Sequence, residues 1–467
     1  MFSKGYIDMN KNVAIPLFAL FSIIVGLLSA SNPVFLLNLL LLVSCMLFHI
    51  FRIQFSKIYV FIVFGLIMFS GFIQMLFLQF NLISSHTNQS TIIYYFPIFY
   101  IWFYIIFNKK LVNLRFKSID YIGIILFVFL LILTIVSKNN NIDFFILVMS
   151  FLKISLFLPA FFFGRIIYFD FKKINFAKIS MIFTVFVFVI GIFDVLSNHG
   201  ILIQLGFAKY LGSDTYGDQS MSVFYKQGMP RMMSAFLSPL TLGMYCGLMI
   251  QYWYYKLVAN KSKFYLIGFL LTAVMLLLSL TRASWISAVL GIGLLSLFLK
   301  NKRKIFFFNN FFLYALLIIL LPLLLYKDSS YFAQLLYSDT STDGHIVGLN
   351  NGLIAIKNNF WWGNGIGISP YFGTVLKSVN NNFESWYLDI IYNVGFIFVL
   401  LFNLFALIGI KSIKKSSDKY LLVSIYVTLT IEAIFENHAW YQTIAVLAFW
   451  ASLGYQISKC TERSDLF

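Results

Sequence analysis

FYLIGFLLTAVMLLLSLT, residues 264–281, carries no charge from end to end and lies between Lys263 and Arg282. As an α-helix rising 1.5 Å per residue it is about 27 Å long, close to the roughly 30 Å of bilayer hydrocarbon. A helix is the form that fits there, because it bonds every backbone polar group internally. Runs of the same kind recur along the chain, at 13–30, 34–51, 58–80, 91–108, 119–137, 143–164, 179–197, 232–255, 284–299, 306–326, 385–410, 420–435 and 439–457. The sequence therefore predicts an all-α, polytopic integral membrane helix bundle of about 14 transmembrane helices. Composition agrees: of 467 residues, 60% are hydrophobic and 11% charged, against about a quarter charged in soluble chains. No polar interval is long enough for a soluble domain, so residues 1–467 read as a single membrane domain, and the first apolar run as a retained helix and not a cleaved leader.

The net charge of +17 is spread thinly between apolar runs, with no basic stripe interleaved with aromatics, so a nucleic-acid partner is not expected. Its distribution sets topology instead. With the N-terminus in the cytoplasm, Lys138, Lys209, Lys226, Arg231, Arg282, Lys327, Lys357 and Lys377 fall outside and Lys153 within a span, while every other Lys and Arg falls inside. The positive-inside rule is then met down the whole chain, with both termini cytoplasmic. Two long segments, 198–231 and 327–384, lie outside, and chemistry is expected there. In the second, Gly348 to Phe360 has helical apolar spacing and runs into Trp361, Trp362 and the glycine cluster GNGIG at 363–367, which reads as an interfacial helix followed by a tight turn closing the external loop. Cys45 and Cys246 lie in apolar runs and Cys460 in the tail, so no disulfide framework or thiolate metal site is indicated.

Arg231 and Arg282 are the only arginines assigned outside. Each can snorkel to the interface, but two planar forks on a base-poor side suggest an anionic ligand such as a phosphate. Glu384 opens ESWYLDIIYNVGF, near the start of a helix; it either complements the helix N-terminus or acts as a general base. Asp389, Glu436, His438 and, in the large loop, His345 are candidate polar residues of a substrate pocket, with Glu432 near Glu436 and His438 at one helix end. Lys153, which costs about 2.5 to 3.5 kcal/mol at mid-membrane, should face the bundle interior.

In order, PRMMSAFLSPLTLGMY at 230–245, SLTRASWISAVLGIGLL at 279–295, DGHIVGLNNGLIAIKNNFWWGNGIG at 343–367 and ESWYLDIIYNVGF at 384–396 resemble the O-antigen ligase and polymerase family, the Wzy-type polysaccharide polymerases and lipopolysaccharide ligases. The likeness covers about residues 225–410. It implies a metal-independent glycosyltransferase without a cofactor that draws on a polyprenyl-diphosphate-linked oligosaccharide and extends a growing polysaccharide acceptor of O-antigen, capsule or exopolysaccharide. It also implies a place in the bacterial cytoplasmic (inner) membrane, among membrane lipid, with a flippase and a chain-length regulator as partners. Arg231 and Arg282 match positions at which the family holds the donor diphosphate. Ser385 and Gly395 keep the spacing of the ligase motif, but Glu384 replaces its histidine, and His345 stands where an arginine is frequent. The missing histidine favours a polymerase over a ligase. A flippase for the same lipid-linked sugar is the alternative from another class, and Lys153 is the feature that points to it.

Overall fold

The computed structural model describes residues 64–66, 68–81, 97–98, 100–102, 104–105, 116–137, 144–171, 175–207, 224–226, 229–299, 340–368, 383–413, 417–437 and 439–464. The spans expected at 13–30, 34–51 and 306–326 lie outside these residues, as does most of 91–108. The chain forms two compact units, one of Met1–Phe96 with Leu202–Gly217 and one of Pro97–Ile201 with Asp218–Phe467. In the smaller, helix α1 (Ser70–Gln79) buries Met75 and Leu78, and Gln79 donates to the Gln204 carbonyl at 2.9 Å.

The larger unit contains α2 (Ser118–Ser137), α3 (Phe144–Ile154), α4 (Phe157–Asp170), α5 (Phe176–Leu196), α6 (Pro239–Asn260), α7 (Lys263–Leu278), α8 (Arg282–Phe298), α9 (Thr340–Ala355), α10 (Trp386–Val394), α11 (Phe396–Ser412), α12 (Ser417–Phe435) and α13 (Ser452–Ser464). Its sheet content among the described residues is a two-residue antiparallel ladder, β1 (Tyr225–Lys226) on β2 (Met229–Pro230). Helices α2 and α5 are long and apolar enough to cross a membrane, and two bent pairs raise the number of such spans to four among the described residues. Along α2 and α5, Ile125, Ile132, Ile135, Ile182, Val189 and Phe193 are exposed. Apolar side chains facing outward along whole helices are the mark of a membrane protein, whose solvent on that face is lipid.

Polar side chains tie the bundle together inside. Helix α6 packs on α7 and α8, and α8 on α12. At the centre of that group Gln251 donates to Thr428 at 2.6 Å and accepts from Ser424 at 2.5 Å, while Ser424 and Thr428 also reach the backbone of α8. Helix α4 lies against α13 so closely that a Cβ on Gly164 would come within 1.8 Å of the Ala451 carbonyl, and one on Gly454 within 2.0 Å of that of Phe161. Small residues permit this approach. Arg165, assigned to an inside loop by hydropathy, is on α4 and buried, paired at 2.5 Å with Asp120 of α2. Lys153 is buried too, and the buried carboxylate of Asp389 is its electrostatic partner.

The expected spans at 143–164, 232–255 and 385–410 are each interrupted. The first bends by 50° between α3 and α4. Pro159 lacks the N–H that would bond Ser155, and its ring crowds that carbonyl. The second starts late: Ser234 and Leu237 hold positive φ, Ser238 caps the helix by accepting from Thr241 N, and Pro239 occupies the first turn. The third breaks at Gly395 (φ 88°, ψ 164°), where α10 and α11 meet at 119°. Here the segment after α9 docks. The amides of Asn364 and Gly365 donate to the carbonyls of Tyr392 and Asn393 at 2.7 and 2.9 Å, and the amides of Phe396 and Ile397 donate to those of Phe360 and Trp361 at 2.8 and 3.4 Å. The expected helix at 348–360 is thus α9, which begins and ends earlier, and the tryptophan–glycine run after it is a clamp on a broken helix.

Because a Cβ at Gly395 would stand 2.1 Å from the Trp361 carbonyl on a backbone that only glycine adopts readily, Gly395→Ala should destabilise the fold by about 2–5 kcal/mol. Gly293→Ala, where nothing lies within 4 Å of the added methyl, should match or slightly exceed the wild type. Thermal melts of both variants in one detergent check the contrast, and equal melting temperatures would remove the clamp.

Candidate active site

Five stretches of chain bring charged side chains to one place. Helix α8 opens on Arg282, preceded by the turn Ser279–Thr281. On that turn rests Arg231: its Nε donates to the Ser279 carbonyl at 3.2 Å and a terminal nitrogen donates to Thr281 Oγ1 at 3.3 Å. Thr281 in turn donates to the Pro239 carbonyl at 3.0 Å. The two arginines are thereby tied to the same three-residue turn.

The backbone around Arg231 is fixed from α5. Asp194 and His199 are both buried, with His199 Nδ1 2.8 Å from Asp194 Oδ1. His199 Nε2 lies 3.3 Å from the Phe224 carbonyl, the same carbonyl that accepts the Arg231 amide at 2.8 Å. The other Asp194 oxygen accepts the amide of Met233 at 3.3 Å. A hydrogen-bonded aspartate–histidine pair at the end of α5 and in the turn after it therefore holds both flanks of Arg231. Neither residue stands out in the sequence, where Asp194 closes an apolar run and His199 follows in an irregular turn.

Carboxylates come from α12 and from the segment before α10. Glu432 is buried near the end of α12, where it accepts from Ser284 of α8 at 2.5 Å, and its Oε2 has no hydrogen-bond partner among the described residues. Glu436, just past the helix, is buried as well. Burial pushes its carboxyl up to about 7; Glu384 pushes the same way, while His345 and Arg231 oppose. Glu384 itself pairs with His345 of α9, Oε2 to Nδ1 at 2.9 Å, the side chains being 26% and 38% exposed respectively. The hydrogen bond from Glu384 holds the His345 imidazole above its ordinary value; burial and Arg282 pull it down, and the charges of Glu384 and Glu436 add to the rise. Next to Glu384, Ser385 donates to the Ala433 carbonyl at 3.0 Å, which fastens this segment to α12.

Of the residues expected from sequence, Arg231, Arg282, His345, Glu384 and Glu436 thus form one electrostatic cluster. His345 is on a helix and not in a loop. Asp389 is elsewhere, buried in the bundle, where it accepts from Tyr441 at 2.6 Å and from Asn393 at 3.3 Å. His438 lies outside the described residues.

Residues 267–403 match the family described as O-antigen ligase, a stretch that holds Arg282, His345, Glu384 and the broken helix at Gly395 but neither Arg231 nor Glu436. Over that stretch the chain is a membrane protein similar to O-antigen ligases. No curated protein and no solved structure matches it. Within that stretch His345 and Glu384 touch one another.

Glu436 supplies a pH test. Raised from an unfolded value near 4.5 to about 7, it keeps in the fold a proton that the unfolded chain has already lost, so its contribution to stability is complete below about 4.5 and disappears as pH rises through about 7. Glu436→Gln has no proton to lose. Its melting temperature relative to wild type should climb between pH 5 and pH 8, by an amount on the order of 2 kcal/mol in stability. A constant difference across that range would show that Glu436 titrates as an ordinary surface carboxylate.

Proposed function

We propose that the chain is a polymerase that joins polyprenyl-diphosphate-linked oligosaccharide repeats into O-antigen, capsule or exopolysaccharide at the external face of the bacterial cytoplasmic membrane. The observation that carries this reading is the convergence of two arginines tied to one turn with a histidine–carboxylate pair, within and beside the stretch similar to O-antigen ligases. Guanidinium forks suit a diphosphate, and their charge opposes that which develops on it as the sugar departs. In this reading Arg231 and Arg282 hold the donor, the lipid tail lies among the helices, and an acceptor hydroxyl is activated at His345 and Glu384. Ligation of finished glycan to a lipid or protein acceptor is the second reading, favoured by the description of the matching family. Transport of the same lipid-linked sugar is the reading from another class, and it rests on Lys153, which has Asp389 as an electrostatic partner inside the bundle.

Purified protein incubated with a synthetic lipid-linked repeat separates these readings by product length: a ladder of repeats for the polymerase, transfer of intact chains to a second acceptor for the ligase, no covalent product for a transporter. Arg231→Ala and Arg282→Ala should each abolish the ladder. Lysine at either place should restore little, because a point charge does not reproduce two parallel hydrogen bonds. Full-length product from both alanine variants at normal protein levels would end the diphosphate assignment.

About 14 spans with both termini cytoplasmic and residues 327–384 outside complete the proposal, on the strength of the positive-inside count. An impermeant thiol reagent on intact cells should label Lys357→Cys and leave Lys414→Cys untouched. The reverse pattern would invert the topology and put the site on the wrong face.

A further inference from the structure

Within the glycosyl-transfer reading, on which this inference rests, we propose that His345 is the catalytic base, taking the acceptor proton on Nε2, and that Glu384 is a positioning residue that holds the ring through Nδ1. The pair is joined through Nδ1 alone, 2.9 Å from Glu384 Oε2, and Nε2 has no partner among the described residues. A neutral imidazole that donates its Nδ1 proton to a carboxylate carries its lone pair on Nε2, the nitrogen left facing away from that carboxylate. This is the division of labour between histidine and carboxylate in hydrolytic triads, where the carboxylate fixes tautomer and orientation and steadies the imidazolium but does not itself take the proton.

Exposure points the same way. The His345 side chain is the more open of the two, at 38% against 26%, and one Glu384 oxygen is already turned to the ring. The charged groups that act on His345 are Glu384 and Glu436, which favour its protonated form, and Arg282, which opposes it. The ring is therefore acted on both by carboxylates that stabilise an imidazolium and by an arginine assigned to the donor.

The step balances without a further reactant. As the acceptor oxygen bonds to the anomeric carbon, its proton passes to His345 Nε2. The bond from that carbon to the diphosphate oxygen breaks, and the electron pair leaves on the lipid diphosphate beside Arg231 and Arg282. Loss of the proton from His345 to water restores the base.

Single-turnover transfer from saturating lipid-linked donor, followed from pH 5 to pH 9 on the full-length protein in detergent, tests the assignment. Wild type should lose activity on the acid side as His345 protonates. His345→Gln should be slower by about 100- to 10,000-fold, without that acid limb and with donor affinity unchanged. Glu384→Gln should also be slow, but should keep the limb and move it to lower pH, because the group that favours the imidazolium is gone. Added imidazole should partly restore His345→Ala and do nothing for Glu384→Gln. Near-normal turnover in His345→Gln, or a limb that survives in His345→Gln and vanishes in Glu384→Gln, would overturn the proposal and make Glu384 the base. An early melt of His345→Gln leaves the imidazole rescue as the deciding measurement, with no rescue counting against the proposal. Absence of any transfer by wild type strikes the glycosyl-transfer reading itself, and is distinguished from failure of His345 by the comparison with the variants.

Discussion

Eight backbone groups have to find partners where a helix is broken, and the way four of them do so at Gly395 shapes much of the larger unit. The carbonyls that end α10 and the amides that begin α11 are met by the chain from Phe360 to Gly365, which serves as acceptor on one side of the break and donor on the other. Without that segment, two helices crossing at 119° would leave bare peptide groups. With it, α10 turns away from the line of α11, and Glu384 and Ser385, just ahead of α10, meet α9 and α12. The tryptophans of the same segment stay exposed beside the clamp, as aromatic side chains do at a membrane–water boundary.

Around this break the charged residues divide into two groups with different surroundings. His345, Glu384, Arg231 and Arg282 are partly open, and their placement depends on backbone carbonyls and short side chains: Ser279 and Thr281 for Arg231, Ala433 for the segment of Glu384. Asp120 with Arg165, Asp194 with His199, and Asp389 with Tyr441 are closed away. Removal of one member of the Asp120–Arg165 ion pair leaves an uncompensated buried charge, at a cost of about 3–5 kcal/mol. The closed pairs therefore give rigidity, and the open cluster has room for a ligand.

The amino-acid sequence makes the open group readable and hides most of the closed one. Arg231 and Arg282 stand out because the side assigned to them is poor in bases, and Glu384 because it precedes an amphipathic turn; all three, with His345 and Glu436, come together. Their pairing does not follow from spacing, since Glu384 and His345 meet only after α9 folds over α10. Hydropathy finds the apolar run at 385–410 yet passes over its break, because one glycine hardly changes an average over a window while its backbone conformation changes everything downstream. It also places the run at 232–255 too early, for the residues from Arg231 to Leu237 are apolar enough to look helical but are held in a turn by contacts with α5 and α7. Asp194 and His199 escape notice for the same reason: they hydrogen-bond the backbone of a segment 25 to 39 residues away.

Lys153 and Asp389 set an order on the making of the protein. The ammonium enters the membrane early in synthesis, whereas its carboxylate belongs to the last fifth of the chain and, at roughly 5–20 residues per second, follows tens of seconds later. During that interval the α3 segment lacks the carboxylate that favours the charged form of Lys153 in the finished fold. A half-made copy lacks the carboxylate that Lys153 meets in the finished fold.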